Sequence, residues 1–270
     1  PPGDIYVTVA VMEEIGGVGT QHLVTKLKAQ AAICGEPSHN TLRRGHRGRV
    51  ELLVRFQGRS AHASVPHLGV NPHYAAAAFL AGLPSLAMGQ DELGRSSVAP
   101  TLYATDQSSP NVIPGRVQLT LDWRNVPSES PSEIVAKVQA MLDRRLATLG
   151  EAQGHKGTVA VVSEQFTTYN GAVVEVPALF PSFALPEDDR FVRAARSALG
   201  AALGRDEGAT FWQFATDGGH LMAAGIPTVG FGPGDETLAH TNQERISLAQ
   251  MSEALVAYPA LTLALAEAAA

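Results

Sequence analysis

Ile5-Tyr6-Val7-Thr8-Val9-Ala10-Val11-Met12 runs without a break into Glu13-Glu14-Ile15-Gly16-Gly17-Val18-Gly19. The first eight residues are β-rich and apolar on both alternating faces, which predicts a central parallel strand covered on two sides. A central strand needs neighbours, and Pro1-Pro2-Gly3-Asp4 supplies none, so the sequence reads as a cut through a domain. Thr20 to Gln30 then reads as a helix with Leu23, Val24 and Leu27 on one face. Ala31 to Cys34 reads as a second short buried strand, ended by Gly35-Glu36-Pro37-Ser38. This β-turn-α-β order predicts an α/β fold with an open, mostly parallel sheet and chemistry at the carboxyl ends of its strands. Glu14 and Glu36 both fall at such ends.

The pattern changes near Arg47. Arg49 to Phe56 alternates as a long strand, Asn71 to Leu83 is an Ala-rich helix, and Ser97 to Thr105 and Val117 to Trp123 read as two more strands. Ser132 to Leu149 is an amphipathic helix with Pro131 at its start and Ser130 as N-cap, and Lys156 to Gln165 supplies a fourth strand. The order β-α-β-β-α-β predicts a self-contained split βαβ domain over 47–171. It is inserted into a larger domain made of 1–46 and 172–270, where Arg190 to Leu203, Ile226 to Phe231 and Ser247 to Glu267 read as helix, strand and long helix.

With 270 residues, 45% of them apolar, the chain can bury a core. Net charge is −6 with acids and bases interspersed, which argues against nucleic acid as a partner. The lone cysteine, Cys34, reads as a small buried residue, since no second cysteine exists to pair with it. No apolar run reads as long enough to span a membrane and no signal peptide precedes the first strand, so a cytoplasmic protein is expected.

Several residues can carry chemistry. Adjacent residues leaving a strand point apart, so Glu13 and Glu14 suit a division of labour: one carboxylate on a metal, the other over its water. They equally suit a solvated helix N-terminus, where acids are favoured. A nucleotide loop on Gly16-Gly17-Val18-Gly19 fails the G-x-G-x-x-G spacing, because His22 stands where the third glycine belongs. Glu36, between Gly35 and Pro37, is a rigidly held ligand or a surface turn acid. His240 in the loop past Val229-Gly230-Phe231 is a metal ligand or a satisfied loop histidine. His62, Asn111 and Arg124, at strand ends or turns of the small domain, could polarise a carbonyl and clamp a carboxylate. His22, His39, His46, His67, His73, His155 and His220 show no ligand spacing, and most read as surface.

Met12-Glu13-Glu14-Ile15-Gly16-Gly17, Gly35-Glu36-Pro37, Gly58-Arg59-Ser60-Ala61-His62-Ala63-Ser64, Asn111-Val112-Ile113-Pro114, Asp122-Trp123-Arg124 and Gly232-Pro233-Gly234 with Ala239-His240-Thr241-Asn242 follow one another in the order seen in M20 peptidases. Across its whole length the chain resembles that family of amidohydrolases, which includes acetylornithine deacetylase, succinyl-diaminopimelate desuccinylase and carboxypeptidase G2. The resemblance implies a hydrolase with two zinc ions, or cobalt or manganese. Its substrate would be an N-acyl amino acid or small peptide with a free carboxylate, and it would work as a homodimer through the inserted lid domain. It implies Glu13 as general base, Glu14 and His240 as ligands of one zinc and Glu36 as a ligand of the other. It further implies that His62 reaches the partner subunit's site to stabilise the oxyanion. Asn111 and Arg124 would hold the substrate carboxylate, and Thr216, Gly218 and Gly219 would line the pocket. The family's H-x-D motif and bridging aspartate precede the glutamate pair and have no counterpart in residues 1–12. The sequence is therefore expected to be a fragment of a longer enzyme, or an inactive remnant that serves for dimerisation or binding.

Overall fold

The computed structural model describes residues 2–150 and 154–270, which separate into two compact units, 1–48 with 180–270 and 49–179. These boundaries fall later than the sequence placed them. Ser163–Thr167 and Val173–Pro177 pair as an antiparallel hairpin with Asn170 in its turn, and Ala178 still accepts a hydrogen bond from the Glu51 N–H. The inserted unit thus runs on to Leu179.

In the inserted unit the expected order is present: Arg49–Gln57, Pro72–Gly82, Ser97–Thr105, Arg116–Arg124, Pro131–Thr148 and Lys156–Val161. The strands pair antiparallel in the spatial order Lys156–Val161, Arg49–Gln57, Arg116–Arg124, Ser97–Thr105. Alternation decides the faces: Val50, Leu52, Val54 and Phe56 point one way with Val117, Leu119, Leu121 and Trp123, all buried. They pack against Ala75, Ala76 and Phe79 of one helix and Ile134, Val138, Met141 and Leu142 of the other. The long helix starts where the sequence said, because Ser130 and Glu133 close a reciprocal capping box ahead of Pro131.

The other unit holds a mixed sheet. Ala32–Cys34 and Thr228–Gly230 run parallel, as do Ala209–Trp212 and Leu42–His46, whereas Leu42–His46 runs antiparallel to Phe183–Ala184 and meets Thr228–Gly230 antiparallel. The expected α/β layering holds, with two parallel pairings in this sheet and two shorter antiparallel ones. The chain doubles back through Gly35–Thr41, and so short a connection reverses strand direction. Leu42, Val229 and Phe231 pack with Phe191, Val192, Ala195 and Leu199 and with Ala254, Ala257, Leu261 and Leu265.

Three expectations are corrected here. Ile5–Met12 forms no strand; Val7 and Val9 are 91% and 94% exposed, and no strand among the described residues pairs with the segment, whose carbonyls at Val11 and Met12 accept from Gly19 and Gly17 just after it. The helix Leu248–Ala269 is long and apolar enough, by length and composition, to cross a membrane. Its Ala254, Ala257, Leu261 and Leu265 instead serve the core of this unit. The helix expected from Thr20 is also short, Val18–Leu23, since Val24 and Thr25 are β-branched and favour helix weakly.

Candidate active site

The glutamate pair sits on a single 3-10 turn, Glu13–Ile15. Left-handed residues bracket it: Met12 at φ 58° before, Gly16 at φ 112° and Gly17 at φ 68° after. The Gly17 N–H donates back to the Met12 carbonyl at 3.0 Å. Beneath the turn, Thr20 donates its hydroxyl to Asp217 at 2.6 Å, and Asp217 and His220 flank Gly17 so tightly that a β-carbon there would lie 2.4 Å from Asp217 Oδ1. Asp217 Oδ1 and His220 Nε2 are buried and have no hydrogen-bond partner among the described residues.

Because Ala32–Cys34 and Thr228–Gly230 are parallel, their carboxyl ends lie on one edge of the sheet, and Glu36 and the loop leading to His240 both leave from it. The Gly35–Ser38 turn is held there by Ser38 N–H donating to the Gly232 carbonyl at 3.1 Å and Gly232 N–H donating to Ser38 Oγ at 3.0 Å. His240, left-handed at φ 62°, places Nε2 3.5 Å from Glu14 Oε2. The Glu13 carboxyl is pushed up to about 7, first by burial and then by repulsion from Asp217 and Glu14, with His240 pulling it back. Burial likewise pushes Glu36 up to about 7, reinforced by Glu13, Glu14 and Asp217. Four of the expected residues, Glu13, Glu14, Glu36 and His240, thus act on one another in one acidic cluster.

Carboxylates and an imidazole are the donors a divalent cation takes, and mutual repulsion that raises Glu13 and Glu36 is what a cation would relieve. In kind and charge the residues fit a metal. In number they converge as the pair Glu14 and His240; among the described residues no three His, Cys, Asp or Glu side chains group closely enough to hold one ion.

Thr216, Gly218 and Gly219 are buried. The Thr216 N–H donates to His46 Nε2 at 3.2 Å, its hydroxyl oxygen accepts from the Gly218 N–H at 3.0 Å, and a β-carbon at Gly219 would lie 2.1 Å from the Pro181 carbonyl oxygen. What this loop contributes to the acidic cluster is Asp217. Asp217 and Thr20 were not singled out by sequence, although the three-residue spacing of Asp217 and His220 was there to be read. His46 and His220, expected at the surface, are buried, because each ring fills space beside an aromatic: His46 edge-on to Phe183 at 4.7 Å and His220 beside Phe180 at 5.4 Å. Cys34 is buried as expected, its thiol pushed up to about 12 chiefly by burial.

His62, Asn111 and Arg124 belong to the inserted unit. His62 ends the strand Ala61–His62, paired antiparallel with Val112–Ile113, and is exposed. Ser109 donates to Asn111 Oδ1 at 2.5 Å. Arg124 makes a two-point contact with Asp122 in its own strand, Nε to Oδ1 at 2.6 Å and Nη2 to Oδ2 at 3.1 Å. Asp122 in turn takes a bond from Arg49, and these guanidinium contacts hold its carboxyl below the usual range against the opposing effect of burial.

Residues 44–149 match the peptidase dimerisation domain of the M20 family. The chain is 26% identical over 266 residues to the Escherichia coli K12 protein YgeY, covering 96% of this chain and 64% of that protein. It is 24% identical over 251 residues to an acetylornithine deacetylase of Myxococcus xanthus, covering 90% and 60%. The aminopeptidase PepT of Bacillus cereus shares the fold with a TM-score of 0.68 at 21% identity, over 96% of this chain and 63% of that one. The chain is thus similar to M20 peptidases, in sequence over residues 44–149 and in fold over most of its length. It spans about two thirds of the length of the relatives it matches.

Proposed function

We propose that this chain serves a metal-dependent hydrolase that cleaves the amide bond of N-acyl amino acids or small peptides, working as a homodimer through the inserted unit, residues 49–179. One observation carries the reading: a carboxyl held near neutrality, Glu13, stands beside the Glu14–His240 pair. Glu14 and His240 would hold one zinc and Glu36 would serve the other, and cobalt or manganese suits the same donors. A bound metal supplies polarisation of the scissile carbonyl and acidity to water. Glu13, with a proton affinity near that of the medium, takes the proton of the attacking water and returns it to the leaving amine. By the family resemblance, His62 would donate an N–H to the oxyanion in the partner subunit's site, and Asn111 and Arg124 would meet the substrate carboxylate.

The test is metal content after equilibration with zinc, together with hydrolysis of N-acetyl amino acids and tripeptides. Glu13→Gln should abolish hydrolysis and leave the metal bound, whereas Glu14→Gln and His240→Ala should lower metal content. A second reading, a dimerising module without catalysis, is favoured by the two-ligand convergence. It takes over when the chain dimerises, holds no zinc and cleaves neither substrate class.

A further inference from the structure

We propose that Ser64 is a positioning residue for His62, holding its imidazole as the neutral Nε2–H tautomer with that N–H turned outward as a hydrogen-bond donor. The local frame is rigid. Ala61 and His62 pair with Ile113 and Val112, Ser60 donates its hydroxyl to the Ile113 carbonyl at 2.8 Å, and the Ala63 N–H donates to the Asn111 carbonyl at 2.8 Å. The chain then turns, closed by the Val65 N–H donating to the His62 carbonyl at 3.0 Å.

Inside this turn two groups of one residue address the same ring nitrogen. The Ser64 backbone N–H donates to His62 Nδ1 at 3.2 Å, and Ser64 Oγ lies 2.8 Å from that atom. A backbone N–H has only a hydrogen to offer, so Nδ1 must present its lone pair. In a neutral imidazole the hydrogen then sits on Nε2. The serine hydroxyl faces the same lone pair and therefore donates as well. The side chain of His62 imitates an Asx turn, with an imidazole nitrogen in place of the carboxylate oxygen. His46 shows the opposite assignment in the same chain: its Nε2 accepts from the Thr216 N–H and its Nδ1 donates to the Arg47 carbonyl at 2.9 Å.

A ring locked as Nε2–H can give a hydrogen bond at its outer edge and cannot take up a proton there. That suits it to an oxygen gathering negative charge and not to general-base work. The functional consequence rests on the hydrolytic reading above; the tautomer does not.

The experiment is 15N-histidine labelling of the chain, with the His62 signals assigned by their loss in His62→Gln. Wild type should show a protonated Nε2 and a lone-pair Nδ1. Ser64→Ala keeps the longer backbone N–H bond but loses the shorter hydroxyl bond, so both shifts should move part of the way toward exchange-averaged values, and Ser64→Thr should restore them. A hydrogen on Nδ1 in wild type, or identical spectra for wild type and Ser64→Ala, overturns the proposal. In hydrolysis assays Ser64→Ala should lower kcat about tenfold at unchanged KM, with threonine rescuing it; loss of the donor itself in His62→Ala should cost about 10²–10³. If the tautomer behaves as stated but wild type cleaves nothing, the hydrolytic reading falls and the positioning role stands. If wild type cleaves and Ser64→Ala changes neither spectrum nor kcat, the positioning role falls alone.

Discussion

Thr20 and Asp217, nearly two hundred residues apart, share a buried 2.6 Å hydrogen bond that ties the helix following the glutamate turn to the start of Gly218–Ala223. The other Asp217 oxygen already lacks a partner among the described residues, so this hydroxyl carries the satisfaction of the carboxylate. Thr20→Val keeps the shape and removes the donor, and should destabilise the chain by about 2 kcal/mol, the range for a bond to a charged group. Thr20→Ser should keep most of it. Urea midpoints read the difference, and a valine variant as stable as wild type would show the bond to be dispensable.

Gly17 and Gly225 have similar left-handed backbones, φ 68° and 80°, but nothing lies within 4 Å of a β-carbon at Gly225. Gly225→Ala should therefore lose only the backbone term, about 1–2 kcal/mol. Gly17→Ala must also displace Asp217 or His220 and should lose clearly more. Equal losses in the two variants would contradict the packing described around Gly17.

His46 makes stability pH-dependent. Burial lowers its pKa from 6.5 to about 4, against the hydrogen bond to the Arg47 carbonyl that favours the charge, while His220 adds to the depression. Between those values the unfolded chain binds a proton that the folded chain refuses. The contribution of His46 to stability is therefore complete above about pH 6.5, declines as pH falls toward 4 and is not lost further below, a loss on the order of 3 kcal/mol. Glu13 and Glu36, whose carboxyls are raised to about 7, act in the opposite sense over the same window, and His220, whose pKa burial lowers, acts with His46. The difference in unfolding free energy between wild type and His46→Gln should therefore shift against wild type as pH falls from 6.5 to 4. A slope unchanged by the substitution would remove His46 from the account.

Ser130→Ala should cost about 1 kcal/mol by opening the capping box of Pro131–Thr148. The loss should appear as faster amide exchange in the first turn of that helix, and uniform exchange rates there would argue that Pro131 alone starts it.

What was legible in the sequence follows from where the forces are local. Arg116–Arg124 and Arg190–Leu203 fall on or within a residue of the expected ranges because alternation and the helical stripe are written in neighbouring positions. Leu42–His46 was invisible. A strand reading Leu-Arg-Arg-Gly-His is buried throughout only because Arg43 reaches Thr41 and Thr210, Arg44 reaches the Leu185 carbonyl and lies 4.1 Å over the Phe211 ring, and His46 reaches Thr216. No hydropathy pattern announces such partners. Ile5–Met12 failed the other way: its composition favours a strand, but pairing is a tertiary matter. Glu13, Glu14, Glu36 and His240 could be named because their motifs are local. Thr20 and Asp217 could not, since their meeting depends on the whole sheet.

The hydrogen bond from Glu51 to Ala178 has a kinetic meaning. Residues 49–179 begin and end side by side, so once that segment has folded, Gly48 and Phe180 are delivered to each other. The pairing of Leu42–His46 with Phe183–Ala184 then closes a gap of a few residues instead of roughly 130, sparing about 2–3 kcal/mol of chain entropy. The insertion thus acts as a staple for the divided sheet: once folded, it shortens the loop that the sheet has to close.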